Sequence, residues 1–139
     1  MGAHRVVVGG SVEGGIFALD GSSVQQLDAL DTMGIAVHPS GDRLARIVRG
    51  FDHSVAELLI YDPDGIHKYL RLPDHKALHG LAWDGDALVA VSSGTNEVVR
   101  LTADGEFVTA WQVGTVRADA WHLNCVAAGP AGLCVSASG

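Results

Sequence analysis

Short apolar runs alternate along the whole chain with turns rich in Gly, Asp, Pro and Ser. Apolar segments such as 80–83 and 87–91 are separated by the turn Asp84-Gly85-Asp86. Apolar runs of this length, bounded by turn residues, indicate β-strands joined as hairpins, because a helix needs a longer run with a period near 3.6. We therefore expect an all-β chain.

The runs form a repeating unit of four strands. Innermost strands are expected at 34–37, 80–83 and 123–126, and second strands at 43–50, 87–94 and 132–139. Third strands follow at 57–61 and 97–101, and outer strands at 67–72 and 106–111. The N-terminal runs 6–11, 15–19 and 24–30 match the second, third and fourth strands of the unit. A repeat of forty-odd residues made of short strands is typical of a β-propeller blade.

The strand count predicts an arc and leaves the ring open. We expect a partial blade at 1–31, blades at 32–74 and 75–118, and a partial blade at 119–139. This is about half of a six-bladed ring. An open arc leaves unpaired strand edges and an uncovered inner face, which proteins tolerate poorly. Further chain, a partner chain or a second copy is therefore expected to complete it.

Composition narrows the classes of partner. The chain of 139 residues has a formal net charge of −7, and 47% of its residues are hydrophobic. An acidic chain with scattered basic residues is not expected to bind a nucleic-acid backbone. No apolar run approaches the roughly 20 residues of a membrane helix, so neither a membrane partner nor a signal segment is predicted. We expect a cytoplasmic protein.

The two cysteines flank the turn at 128–131. If strands 122–127 and 132–137 form a hairpin about that turn, Cys125 and Cys134 face each other across it. In a reducing compartment we expect two buried, reduced core thiols in preference to a disulfide.

Two histidines are the main candidates for chemistry. His79 and His122 are expected at the same place in the repeat, at the mouth of the innermost strand, where Met33 stands in the earlier copy. Imidazoles from adjacent blades can share one metal ion, with further ligands supplied by the rest of the ring. The alternative is a structural role, in which each imidazole hydrogen-bonds the backbone of a neighbouring blade and closes the central channel.

Three further residues lie close to His122 in the sequence. Asp119 is a candidate general base, or an orienting partner for a ligand histidine, although an acid at this place can simply cap the connection between blades. Asn124 is a candidate ligand-reading group, because a polar amide on an inner strand costs free energy unless it is bonded; a structural tie is the alternative. Trp121 can wall a pocket, while Trp83 and Trp111 are expected between blades.

The hairpin turns Pro39-Ser40-Gly41-Asp42 and Asp62-Pro63-Asp64-Gly65, with the second-strand ending Val91-Ser92-Ser93-Gly94, resemble those of NHL-repeat and gluconolactonase-type six-bladed propellers. The run Asp119-Ala120-Trp121-His122-Leu123-Asn124-Cys125 is similar to a segment of an uncharacterised family of bacterial propeller proteins. The resemblance implies a site in the central channel, because relatives of this shape include lactonases and amidating lyases that hold a metal there.

Two functional hypotheses follow from these residues. The first is a propeller with a small-molecule or metal site near His79, His122 and Asn124; as an enzyme it would be a metal-assisted lyase or hydrolase, with a divalent cofactor such as Zn²⁺ or Ca²⁺. The second is a non-catalytic scaffold that binds a protein or peptide through loop residues such as Phe51 and His53. The sequence leaves open whether the protein is an enzyme.

Overall fold

The chain forms four antiparallel sheets in sequence order. The computed structural model describes residues 6–10, 14–49, 55–72, 77–102, 104–115 and 121–138. Over these ranges the chain has thirteen strands and no helix. The sheets, numbered here 1 to 4 along the chain, contain three, four, four and two strands. The expected all-β architecture and its grouping of strands are confirmed.

The two central sheets are complete four-stranded meanders, with strands ordered as in the sequence. The strands of sheet 2 are β4 (Thr32–Val37), β5 (Leu44–Arg49), β6 (Ala56–Asp62) and β7 (Gly65–Leu72). The strands of sheet 3 are β8 (Leu78–Asp84), β9 (Ala87–Ser92), β10 (Glu97–Leu101) and β11 (Phe107–Gln112).

The outer sheets are shorter. The strands of sheet 1 are β1 (Val6–Gly10), β2 (Gly15–Asp20) and β3 (Ser23–Asp28). Those of sheet 4 are β12 (Leu123–Gly129) and β13 (Gly132–Ala137). The innermost strands touch one another in turn, β4 against β8 and β8 against β12. The sheets are therefore arranged around a common inner side. The predicted blade boundaries at 74/75 and 118/119 fall outside the described residues, and the boundary at 31/32 remains a prediction.

Two apolar clusters hold sheets 2, 3 and 4 together. Sheets 2 and 3 share a core that includes Ile47, Leu58, Leu78, Trp83 and Val99. Sheets 3 and 4 share a smaller one, formed by Ala82, Val89, Val91, Val98, Leu123 and Val126. Trp83 lies between blades, as expected, with 8% of its surface exposed. Trp111, on the outer strand of sheet 3, also faces the gap between blades, because it lines a cavity with Leu133 and Val135 of sheet 4, although its side chain is about half exposed.

A buried arginine ties sheet 1 to sheet 2. Arg46, on β5, is 1% exposed, and its Nη1 and Nη2 donate to the two carboxylate oxygens of Asp28 at 2.5 and 2.6 Å. Its Nε donates to Thr32 Oγ1 at 2.8 Å, and Nη2 also reaches the Leu30 carbonyl at 2.9 Å. Hydrogen bonds from Arg46 hold the pKa of Asp28 below its usual value. A bidentate pair of this kind fixes orientation as well as supplying energy.

The cysteine prediction needs correction. The hairpin forms, but its turn is centred on Pro130-Ala131, so Cys125 pairs with Ser136 and Cys134 pairs with Ala127. The two cysteines are therefore offset by two residues along the hairpin and do not face each other directly. Both cysteines are free and exposed, because sheet 4 packs on sheet 3 through Leu123, Val126 and Leu133 and not through its cysteines. The expectation of buried thiols is wrong.

None of the described segments is a helix long and apolar enough to cross a membrane.

Candidate functional site

The strand register defines which inner-strand residues are equivalent. Thr32, Leu78 and Leu123 each pair with the matching residue of the second strand, namely Val48, Ser92 and Ala137. In each hairpin the register then shifts, which marks an irregularity at the same place in all three blades. One position further along, the equivalent residues are therefore Met33, His79 and Asn124.

This register corrects the repeat alignment. The expected equivalence of His79 with His122 is wrong by two residues, because His79 matches Asn124 and His122 matches Ala77. Ala77 and His122 share a left-handed backbone, with φ of 51° and 46°. Their carbonyls also accept the same hydrogen bond, from Ser93 N at 3.1 Å and from Ser138 N at 3.3 Å. His122 thus stands in the connection that precedes an inner strand.

The three equivalent side chains line one cavity on the inner side of the sheets. The cavity has a volume of about 300 Å³, and its walls include Met33, His79, Asn124 and Cys125. Each of the first three comes from a different blade, at the start of β4, β8 and β12. We call this cavity the inner groove. It combines a thioether, an imidazole, an amide and a thiol, so it offers both apolar contact and hydrogen bonding.

Glycines let the inner strands approach closely enough to form the inner groove. A Cβ on Gly34 would lie 2.6 Å from the carbonyl oxygen of His79, and one on Gly80 would lie 2.8 Å from Cys125 Cα. Real side chains do not tolerate such distances to backbone atoms. The third equivalent position is Cys125, which has a side chain and is exposed.

His79 and His122 are neighbours although they are not equivalent. Their ring centroids are 6.1 Å apart, and the ring planes are tilted by 51°. His79 is half-buried, while His122 is exposed. Because a metal–imidazole bond is about 2.1 Å long, rings that share an ion must be neighbours, and these two rings are.

The described residues do not form a complete set of metal ligands. Among them, no group of three His, Cys, Asp or Glu side chains is placed to hold an ion. The Met33 sulfur accepts a hydrogen bond from Arg49 Nη2 at 3.0 Å, which occupies the thioether. A metal at the two histidines would therefore need ligands from elsewhere.

The other predicted site residues are divided between different places. Asn124 lines the inner groove and is exposed there. Trp121 is half-exposed, its backbone N donates to Asn96 Oδ1 at 3.2 Å, and its indole nitrogen lies against Gly114. Trp121 does not line the inner groove. Asp119 lies outside the described residues, as do Phe51 and His53.

Sequence reasoning missed the roles of Met33, Asn124 and Cys125 as one set. The hairpin turns contained the signal for this set. Counting back from the second strands, whose alignment was correct, places Asn124 at the position equivalent to His79. Aligning His79 with His122 by residue type gave the wrong register, because His122 lies two positions before Asn124, the residue that is equivalent to His79.

Comparison with known proteins supports the fold. No family model matches the chain, and no curated protein matches it. A solved structure of a streptogramin B lyase superposes with a TM-score of 0.54 and 17% sequence identity. The matched part covers 88% of this chain and 41% of that chain. At this identity the likeness concerns the fold alone.

The sheets and this neighbour together define the class of protein. The chain is an arc of a β-propeller, built of antiparallel sheets around a common inner side. It spans about two fifths of the solved propeller that it resembles. The likeness to NHL-repeat and gluconolactonase-type propellers stays a prediction.

Proposed function

We propose that this chain is part of a cytoplasmic β-propeller that binds a small polar molecule in the inner groove. One observation carries the proposal: Met33, His79 and Asn124 occupy the same position in three blades, and all three line one cavity. Ligand sites are concave and combine apolar walls with a few polar groups. The inner groove has this composition.

The polar groups of the inner groove are suited to recognition. The amide of Asn124 offers both donors and an acceptor, and a neutral imidazole at His79 offers one of each. The Arg49 hydrogen bond fixes the Met33 thioether, so Met33 serves as an apolar contact. A ligand that carries a carbonyl or hydroxyl beside an apolar part fits this set.

A lyase is the enzymatic form of the proposal, supported by the structural likeness to a streptogramin B lyase. In an elimination a base removes a proton, the electron pair of that bond forms the new double bond, and the leaving group departs with its own bonding pair. His79, which lines the inner groove, would accept such a proton in a metal-free enzyme, and Asp119 would accept it where His79 holds a metal. Asn124 would orient the substrate carbonyl.

A divalent metal is an additional component of the proposal. His79 and His122 would hold it, and imidazole ligands favour Zn²⁺ over Ca²⁺, which prefers oxygen. When bound, the ion would polarise a carbonyl or hydroxyl of the substrate. The remaining ligands would come from Asp119, from further chain, or from a partner chain or second copy that completes the ring.

Native mass spectrometry tests the metal and the assembly together. The purified protein is measured with added Zn²⁺ and again after chelation, as the parent and as the His79→Ala, His122→Ala double variant. His67→Ala is the matched control, because His67 is 63% exposed and pairs with Asp62 away from the inner groove. We expect one metal-sized mass that chelation and the double variant remove and the control keeps.

The small-molecule site needs its own readout. Turnover of a streptogramin B is measured with the parent, with Asn124→Leu and with His79→Gln, and loss in both variants supports a lyase. Absence of metal and of turnover would refute the metal-assisted lyase. A metal-free complex with a protein partner would then favour the scaffold hypothesis.

A further inference from the structure

A second cavity lies between sheets 2 and 3, separate from the inner groove. Its volume is about 350 Å³, and none of its lining residues lines the inner groove. The apolar part of its lining is formed by Ile60, Trp83, Ala87, Leu88 and Leu101. We call it the inter-blade cavity. Its size is within the range of small-molecule sites.

Two cationic side chains line the inter-blade cavity. The Arg43 guanidinium carbon lies 5.1 Å from the centre of the Trp83 ring, and its Nη2 binds Asp86 at 2.6 Å. The Asp86 side chain is 86% exposed, so water screens this pair. The cavity therefore has a cation stacked on its aromatic wall.

Lys68 provides the second positive charge. Its Nζ lies against the backbone of Gly105, where a Cβ would come within 3.1 Å. Gly105 has a φ of +90°, a conformation that also favours glycine. Within the part of the chain that the structure describes, no carboxylate is within salt-bridge distance of Lys68. Lys68 is thus a half-buried residue without a carboxylate partner in that part of the chain.

Thr102 adds a neutral donor. Its Oγ1 accepts a hydrogen bond from Glu106 N at 3.2 Å, which leaves the hydroxyl proton to donate. Arg43, Lys68 and Thr102 thus present donors around an apolar lining, and Asp86, the one carboxylate in that lining, is held by Arg43. Asp86 and Asp42 offset the charge of Arg43, so among the described residues Lys68 carries the uncompensated positive charge of this lining.

We propose that the inter-blade cavity binds a small organic carboxylate with an apolar body, of the arylalkanoate class. The carboxylate would pair with Lys68, and the aryl group would pack on Ala87 and Leu101, the partly exposed apolar residues of the lining. Charge-assisted hydrogen bonds to a carboxylate are stronger than neutral ones, while the apolar lining excludes strongly hydrated anions such as inorganic phosphate. This site is independent of the inner groove.

The test uses 3-phenylpropionate and its primary amide, which has the same shape without the charge. Binding is followed by ¹H–¹⁵N NMR, through the Trp83 indole N–H and the Thr102 amide. The variants are Lys68→Gln and Lys68→Arg. Arg100→Gln is the control for loss of one positive charge elsewhere, on sheet 3, because Arg100 does not line the inter-blade cavity and pairs with Asp84 at 2.9 Å.

We expect saturable shifts with the acid and about tenfold weaker binding of the amide. Lys68→Gln should lose about tenfold in affinity for the acid, Lys68→Arg should keep most of it, and Arg100→Gln should match the parent. Equal affinity for acid and amide, unchanged affinity in Lys68→Gln, or no saturable shift would each overturn the proposal. Because Lys68 lies on an outer strand, its variants are expected to fold, which circular dichroism verifies.

Discussion

The Arg46–Asp28 pair should respond unequally to removal of its two members. Asp28→Ala leaves the guanidinium of Arg46, which is 1% exposed, without a counter-ion. Arg46→Met leaves a carboxylate whose side chain is 36% exposed, so water can solvate it. When Arg46 is removed, Thr32 Oγ1 still donates to the Leu30 carbonyl at 2.8 Å, so the hydroxyl and the carbonyl that bonded Arg46 each keep a partner. We therefore expect Asp28→Ala to be the more destabilising change.

The magnitudes follow from the burial of each charge. Removing one partner of a buried pair costs about 3–5 kcal/mol, and the lower end applies to Asp28→Ala because the pair is open to solvent on one side. For Arg46→Met the partly solvated carboxylate and the retained apolar stem reduce the loss to about 1 kcal/mol. In the double variant no charge is left unpaired, so adding Arg46→Met to Asp28→Ala should restore about 2 kcal/mol.

Urea denaturation of the four proteins, followed by circular dichroism, measures these differences as a double-mutant cycle. With a slope of about 1.5 kcal/mol per molar urea, Asp28→Ala should lower the midpoint by about 2 M. The reasoning is refuted if Arg46→Met costs as much as Asp28→Ala, or if the double variant is less stable than Asp28→Ala alone.

Three further predictions test other contacts. Gly80→Ala should lower the free energy of unfolding, measured by heat or urea, by about 2 kcal/mol, because the new Cβ would meet the backbone of β12. Gly129→Ala is the control and should be nearly neutral, because the space around Gly129 is open. Equal effects of the two changes would contradict this reading. Cys125 and Cys134 should both react with Ellman's reagent in the native protein at rates near those of the unfolded chain, and protection of either would show that its surface is covered. Arg46 lowers the pKa of Asp28, so the stabilisation by the ionised Asp28 carboxylate is complete above the unfolded pKa of about 3.9 and is lost as the pH falls through the folded pKa. The difference in stability between the parent and Asp28→Ala should therefore narrow below about pH 4. A difference that stayed constant would contradict the assignment.

The sheet architecture could be predicted because hydrophobic alternation and turn chemistry are local signals. The turns at Gly85 and Gly105 punctuate the chain at the places where the structure has hairpins. The second strands were aligned correctly for the same reason, since each begins just after a turn and carries a continuous apolar run. Such patterns need no knowledge of the neighbouring blade.

The candidate site was less accessible to sequence reasoning. The register shift at the start of each inner strand depends on how that strand packs on its neighbour, and no local pattern reports it. His122 matched His79 in type, whereas the equivalent residue is Asn124. Likewise, the exposure of Trp111 and of the two cysteines depends on which surfaces are covered, which is a tertiary property.

The contact at Gly34 and Gly80 also determines the curvature of the arc. At these two junctions backbone lies directly on backbone, so adjacent blades converge tightly toward the axis. Any strand placed beside β12 would meet the side chain of Cys125 instead and would have to stand further away. Gly34 and Gly80 thus set a closer spacing of inner strands than the side chain of Cys125 would permit.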